Sequence, residues 1–123
     1  MSEDRRIRLA GTFTRYAEEA RTRSAAIAEL VQGDMASPDA WGVVVLHAHT
    51  LAGSGATMGA ENISTAGRAI EDIVTELSGA QRAPDAEERA ALVALSGQLT
   101  VAAAAFDPEA SLNIFIAKVY PRG

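Results

Sequence analysis

The feature that most limits the fold is the spacing of apolar residues, which recur every three or four positions through four long segments. In the first segment, from about Arg6 to Val31, the residues of one face are Phe13, Tyr16, Ala17, Ala20, Ser24, Ile27 and Val31. This period is that of an amphipathic helix and differs from the strict alternation of a half-buried strand. We therefore predict that the chain belongs to the all-α class.

Capping and helix-ending residues divide the chain into four predicted helices. Ser37 followed by Pro38 is typical of a helix start. Asp85 with Glu88 three residues later has the pattern of a capping box, whereas Pro108 ends or kinks a helix. The predicted helices run approximately over Arg6–Val31, Pro38–Met58, Ala60 or Glu61 to Leu77, and Asp85–Phe106.

The connections between these helices are short, so successive helices are expected to run antiparallel. The sequence thus predicts an up-down four-helix bundle in residues 1–108, with a short C-terminal extension in residues 109–123. The extension is too apolar for a free tail, and we expect it to form a short helix or strand packed on the bundle. The predicted core includes Leu51, Met58, Ile70, Ile73, Leu95, Leu99 and Phe106.

Composition narrows the possible functions. The formal net charge of −5 argues against a nucleic-acid-binding surface, and the absence of cysteine excludes disulfides and thiol catalysis. No apolar run reaches the length of a membrane span, so we expect no membrane association and a cytoplasmic protein. A chain of 123 residues fits one domain, and we expect a monomer.

The most informative stretch surrounds two histidines in the second predicted helix. Three glycines, Gly53, Gly55 and Gly59, follow closely, although each glycine inside a helix costs roughly 1 kcal/mol relative to alanine. His47 and His49 point roughly 200° apart on a helix and cannot share one ion. We therefore predict no metal site and no other cofactor.

The two histidines are predicted to lie on different faces. His47 falls on the core stripe, where a buried or half-buried, hydrogen-bonded side chain is expected. His49 falls on the opposite side, and Gly53 one turn later leaves its imidazole without a large neighbour on the same helix. Spacing alone favours an inert surface histidine at position 49.

The residues from His49 onward resemble the signature of the histidine-containing phosphotransfer (HPt) domain: His, any residue, Leu, usually Lys, then Gly and a small residue. The matching stretch is His49-Thr50-Leu51-Ala52-Gly53-Ser54, with Gly59 ending the helix, and residues 63–71 are similar to the family's third helix. The resemblance implies a phosphocarrier without autokinase activity, in which His49 carries a phosphoryl group between receiver-domain aspartates. Its implied partners are response-regulator receiver domains and a hybrid histidine kinase.

One position departs from the family pattern, because the usual lysine three residues after the histidine is Ala52 here. That lysine is expected to steady the phosphoryl charge. Arg68 on the third helix is the candidate replacement, and a solvated Arg68 without a role is an equal alternative. The predicted neighbours of the phosphoryl site are Ala52, Gly53 and Arg68, and the predicted partner-binding residues are Val45, Ala52, Gly53, Ala56 and Ser64.

Two other functions stay open at this point. Ala52 favours a degenerate HPt module that binds a receiver or kinase without being phosphorylated. The apolar extension favours a structural or oligomeric helical bundle. His49 together with Gly53 and Gly59 favours the phosphorelay carrier.

Overall fold

The computed structural model describes residues 1–121, which form five α-helices and no strand. The helices are α1 (Glu3–Gln32), α2 (Pro38–Thr57), α3 (Glu61–Ala80), α4 (Ala86–Ala105) and α5 (Pro108–Val119). The predicted all-α class is confirmed. The predicted ends of the first four helices differ from the observed ends by no more than three residues.

Side-chain caps explain where the helices begin. At α2, the Ser37 hydroxyl accepts a hydrogen bond from the backbone N–H of Asp39, and Pro38 occupies the first turn. At α4, the N–H of Glu88 donates to the Asp85 carboxylate while the Glu88 carboxylate accepts from the Asp85 N–H. These bonds satisfy N–H groups that have no partner within the helix, as the sequence predicted for Asp85.

Helices α1 to α4 form a four-helix bundle in which α2 packs on α1 and α3, and α4 packs on the same two helices. Within the described residues, α2 and α4 do not contact each other and therefore occupy opposite corners of the bundle. The outward face of α2 and the outward face of α4 consequently look away from each other.

The core differs in part from the predicted one. Four of the predicted core residues are buried, namely Leu51, Ile70, Leu99 and Phe106. The other three are half-buried and pack at the edge of the core, namely Met58, Ile73 and Leu95. Their positions lie on the flanks of the apolar stripes, where a helix meets solvent as well as its neighbour.

The C-terminal extension forms helix α5, which packs on α1. Phe115 of α5 contacts Phe13 of α1 with ring centroids 5.7 Å apart, and Arg6 donates a hydrogen bond to Asn113. The segment was expected to pack on the bundle as a helix or a strand, and it packs there as a helix. The last two residues of the predicted extension, 122–123, lie outside the described residues.

Two glycines bring α2 and α3 unusually close together. A Cβ atom added at Gly67 would lie 3.0 Å from the backbone oxygen of Ala48, and one added at Gly55 would lie 3.0 Å from that of Ala60. The turn between the two helices contains Gly59 with φ of 73°, a backbone conformation that residues with a side chain rarely adopt. The side chains of α3 therefore reach the surface of α2 directly.

No single helix in residues 1–121 is long and apolar enough to cross a membrane. Helices α4 and α5 meet the length and composition criteria only when taken together, and a bend of 78° separates them.

Candidate functional site

His49 lies on the outer surface of α2, and its side chain is 73% exposed. Its Nδ1 atom lies 2.6 Å from Oε2 of Glu71, which belongs to α3 and is 23% exposed. Glu71 lies three residues after Arg68 on α3, so the contact with His49 comes from the stripe of α3 that contains Arg68. The contact crosses the α2–α3 interface that Gly67 keeps narrow.

The contact with Glu71 determines which nitrogen of the His49 ring carries the hydrogen. A carboxylate has no hydrogen to donate, so Nδ1 of His49 carries the hydrogen and donates it to Glu71. In a neutral ring with this tautomer, the other nitrogen, Nε2, holds the lone pair. Because the Nδ1 edge is bound to α3 and the side chain is largely exposed, this lone pair is available to a group approaching from solvent.

His47 has a different environment, as predicted. Its side chain is half-buried, and its Nδ1 lies 3.0 Å from a guanidinium nitrogen of Arg23 on α1. Burial and the positive charge of Arg23 lower the pKa of His47 below its ordinary value. Arg23 also forms an ion pair of 2.7 Å with Glu19. His47 is thus a structural residue of the α1–α2 interface.

Two of the predicted partner-binding residues are wrong as surface positions. Ala52 is 3% exposed and packs against α3 beside Gly67, where the two helices lie close together. Ser64 is 6% exposed, and its hydroxyl donates a hydrogen bond of 2.8 Å to the backbone oxygen of Ala52. Neither side chain is available to a partner. The narrow α2–α3 interface also places position 52 in the interior, although it is one turn from His49.

The exposed part of α2 around His49 is uncharged and partly apolar. Gly53 and Ala56 are exposed, as predicted, and Val45 is half-buried. Sequence reasoning missed Val43 and Leu46, which are 42% and 61% exposed on the same helix. We call the outward surface made by these exposed residues and the histidine the α2 face: Val43, Leu46, His49, Gly53 and Ala56.

A groove lies between the N-terminal half of α2 and the C-terminal half of α3. Its lining consists of uncharged residues, namely Trp41, Gly42, Val45, Thr75, Ser78 and Gly79. Val45 lies one turn before His49, and Thr75 lies one turn after Glu71. The groove therefore continues the surface on which the His49–Glu71 pair lies.

Arg68 is exposed on α3, three residues before Glu71 and on the same stripe. In the described part of the chain it takes part in no ion pair or side-chain hydrogen bond. Its guanidinium group is thus uncommitted. Residues 1–121 contain no group of three or more histidine or carboxylate side chains that could hold a metal ion.

Comparison with known protein families adds one finding. The model of the family described as "Hpt domain" matches residues 12–105, which run from α1 to the end of α4 and include His49. Comparison with curated proteins found no significant match. Comparison with solved structures also found none. Because the family model covers most of the chain, this protein belongs to the Hpt domain family and has a phosphotransfer role in two-component signalling.

Proposed function

We propose that this protein is a phosphorelay carrier that accepts a phosphoryl group on Nε2 of His49 from one receiver-domain aspartate and donates it to another. The observation that carries the proposal is the pair formed by an exposed His49 and Glu71. Nδ1 of the ring is held at 2.6 Å by a carboxylate while the rest of the side chain faces solvent. A ring fixed at one nitrogen and open at the other has the properties of an oriented nucleophile.

In the proposed reaction, Nε2 of His49 attacks the phosphorus of an aspartyl phosphate. The N–P bond forms as the P–O bond to the aspartate breaks, and the aspartate leaves as a carboxylate. Nδ1 keeps its hydrogen, so the phosphorylated ring is positively charged, and the negative charge of Glu71 stabilises it. The second transfer reverses these bond changes on another receiver domain.

The negative charge of Glu71 also creates a need for a cation. An incoming phosphoryl group brings further negative charge to a site that already contains a carboxylate, and the two repel each other. We assign the compensating charge to Arg68, because it lies on the Glu71 stripe and has no competing partner in residues 1–121. Ala52 cannot supply that charge, and its burial favours a cation from α3 instead.

We propose the α2 face as the surface on which a receiver domain docks. Its residues other than His49 are small or apolar, and α2 contains one ionisable side chain besides its histidines, Asp39 in the first turn. An uncharged surface with an exposed Leu46 favours apolar contact with a partner. Gly53 keeps the approach to His49 open, since a Cβ atom there would meet nothing within 4 Å.

The second candidate is a degenerate module that binds a receiver domain without being phosphorylated, and Ala52 in place of the usual lysine favours it. One experiment distinguishes the two functions. The protein is incubated with a receiver domain that has been phosphorylated by a small phosphodonor, and phosphate is followed on both chains. A carrier gains a label that is lost in acid and retained in alkali, while the receiver loses its own. An adaptor binds the receiver and stays unlabelled.

A further inference from the structure

The outward surface of α4 is unusual for a helix at the edge of a bundle, because it contains no charge over most of its length. Residues 90–106 include no ionisable side chain. Nine of them are exposed, namely Ala90, Val93, Ala94, Gly97, Gln98, Thr100, Val101, Ala104 and Ala105. An outer helix of a monomer normally presents charged and polar residues to solvent. We call this surface the α4 face.

The α4 face borders a groove between α3 and α4 of about 580 Å³. The groove is lined by uncharged, mostly small residues, among them Ala66, Ala69 and Gly97. Val101 rises at its edge with 69% of its surface exposed, and Val93 is 45% exposed two turns earlier. A projecting apolar row thus lies beside an apolar groove on one surface.

We propose that the α4 face is the contact between two copies of this chain, related by a two-fold axis. A two-fold contact uses the same surface on both copies, so a projection and a groove must lie side by side for each to fill the other. The valine row of the α4 face and the adjoining groove meet that requirement.

Electrostatics favours this surface over others for self-association. Each copy has a formal net charge of −5, so two copies repel each other wherever their charged surfaces meet. The α4 face and the groove lining are free of ionisable groups, and contact there avoids placing carboxylates against carboxylates. The sequence led us to expect a monomer. The structure favours a dimer because it shows that the exposed side of α4 has no ionisable side chain over residues 90–106.

The proposed contact is smaller than a standard interface, which favours weak association. The α4 face and the exposed residues of α3 beside the groove amount to about a dozen residues, whereas a standard interface has roughly 20–30 residues a side. We therefore infer a dimer that is populated reversibly as concentration rises. Because α2 and α4 lie at opposite corners of the bundle, such a dimer leaves His49 of both copies open to receiver domains.

The experiment is sedimentation of the full chain over a wide range of concentration, from about 10 µM to about 1 mM. The parent should sediment with the 12.8 kDa mass of one chain at the low end and approach twice that mass at the high end. Val101→Glu should sediment as a monomer throughout. Each substitution occurs twice in a two-fold contact, so the dissociation constant should rise by roughly a hundredfold or more, to above the highest concentration used.

Leu46→Glu is the matched control, because Leu46 is exposed to a similar extent, 61%, on the opposite corner of the bundle. It should self-associate as the parent does. Val93→Glu should repeat the effect of Val101→Glu, and circular dichroism checks that all variants are folded. A monomeric mass for the parent at every concentration overturns the proposal. So does dissociation by Leu46→Glu with Val101→Glu unchanged, which would place the contact on the α2 face.

Discussion

Oε2 of Glu71 lies 2.6 Å from Nδ1 of His49, so that a carboxylate of α3 holds the ring of a solvent-exposed histidine of α2. The two residues are 22 positions apart in sequence, and the close approach of the helices at Gly67 brings them together. The pair presents Nε2 rather than Nδ1 to an incoming group.

Removing the carboxylate should slow phosphoryl acceptance without unfolding the protein. Glu71→Ala frees the ring to adopt either tautomer and removes the charge that stabilises the phosphorylated ring, so the rate should fall roughly tenfold, or about 1.4 kcal/mol. Nitrogen-15 chemical shifts of His49 should show the Nδ1–H tautomer in the parent and a mixture in the variant. Asp72→Ala, a neighbouring exposed carboxylate on α3, is the control and should change neither measurement. An unchanged tautomer in Glu71→Ala contradicts the assigned role.

The assigned cation can be tested in the same transfer assay. Arg68→Ala should slow acceptance or shorten the lifetime of phosphorylated His49 by about ten- to thirtyfold, or 1–2 kcal/mol, because the site is open to water. Arg68→Lys retains the charge and should recover most of the loss. Arg89→Ala removes a surface arginine of α4 and should have no effect. If Arg68→Ala transfers at the parent rate, the charge at position 68 has no part in the relay.

The glycines of the α2–α3 region should respond in opposite ways to the same substitution. Gly67→Ala puts a Cβ atom 3.0 Å from a backbone oxygen and should lower the free energy of unfolding by about 1–3 kcal/mol. Gly53→Ala meets open space and should raise it by up to about 1 kcal/mol. Denaturant unfolding measures both. The explanation of the narrow interface fails if Gly67→Ala is as stable as the parent.

Bulk at position 53 tests the docking surface separately from stability. Gly53→Leu should keep the fold, because the position is exposed and helical, and should impair phosphoryl transfer from a receiver domain. Gly97→Leu places the same side chain at an exposed glycine of α4 and should leave transfer unchanged. Equal transfer by the two variants contradicts docking on the α2 face.

The packing of the two helices also shows what could be predicted from the sequence. Apolar periodicity predicted the helices, the bundle and the difference between His47 and His49, because each depends on angular position within one helix. The burial of Ala52 and Ser64 was missed, since it depends on how closely a second helix approaches. The sequence did contain a sign of this close approach, namely Gly67. A glycine on the buried stripe of a helix indicates that a neighbouring helix leaves no room for a side chain there.

Apolar periodicity does not show which apolar residues stay exposed or which residues of two helices come into contact. Val43 and Leu46 are apolar residues on an exposed face, and a pattern of apolar positions assigns such residues to a core. The contact of Glu71 with His49 requires the relative rotation of α2 and α3, which is set by packing across both helices. The extension was ambiguous between helix and strand for a similar reason, because its apolar residues face both α1 and solvent.

The pKa of His47 predicts how stability depends on pH. Burial and Arg23 lower this pKa in the folded state, so below its ordinary value the unfolded chain binds the proton more readily than the folded one. The free energy of unfolding should therefore fall as pH is lowered through about 6.5, and level off below the folded-state pKa. Denaturant unfolding at about pH 7.5 and about pH 5.5 measures the change. His47→Gln should show a smaller change over the same interval, and an equal change in both proteins contradicts this account.

The most direct test of the central claim is to identify the residue that accepts the phosphoryl group. The parent, His49→Gln and His47→Gln are each incubated with the same phosphorylated receiver domain, and acid-labile label is measured over time. We predict that the parent and His47→Gln become labelled, whereas His49→Gln remains unlabelled although circular dichroism shows the same helical content. Label on His49→Gln, or its absence from a folded parent in the presence of a receiver that it binds, would contradict the proposal that His49 carries the phosphoryl group.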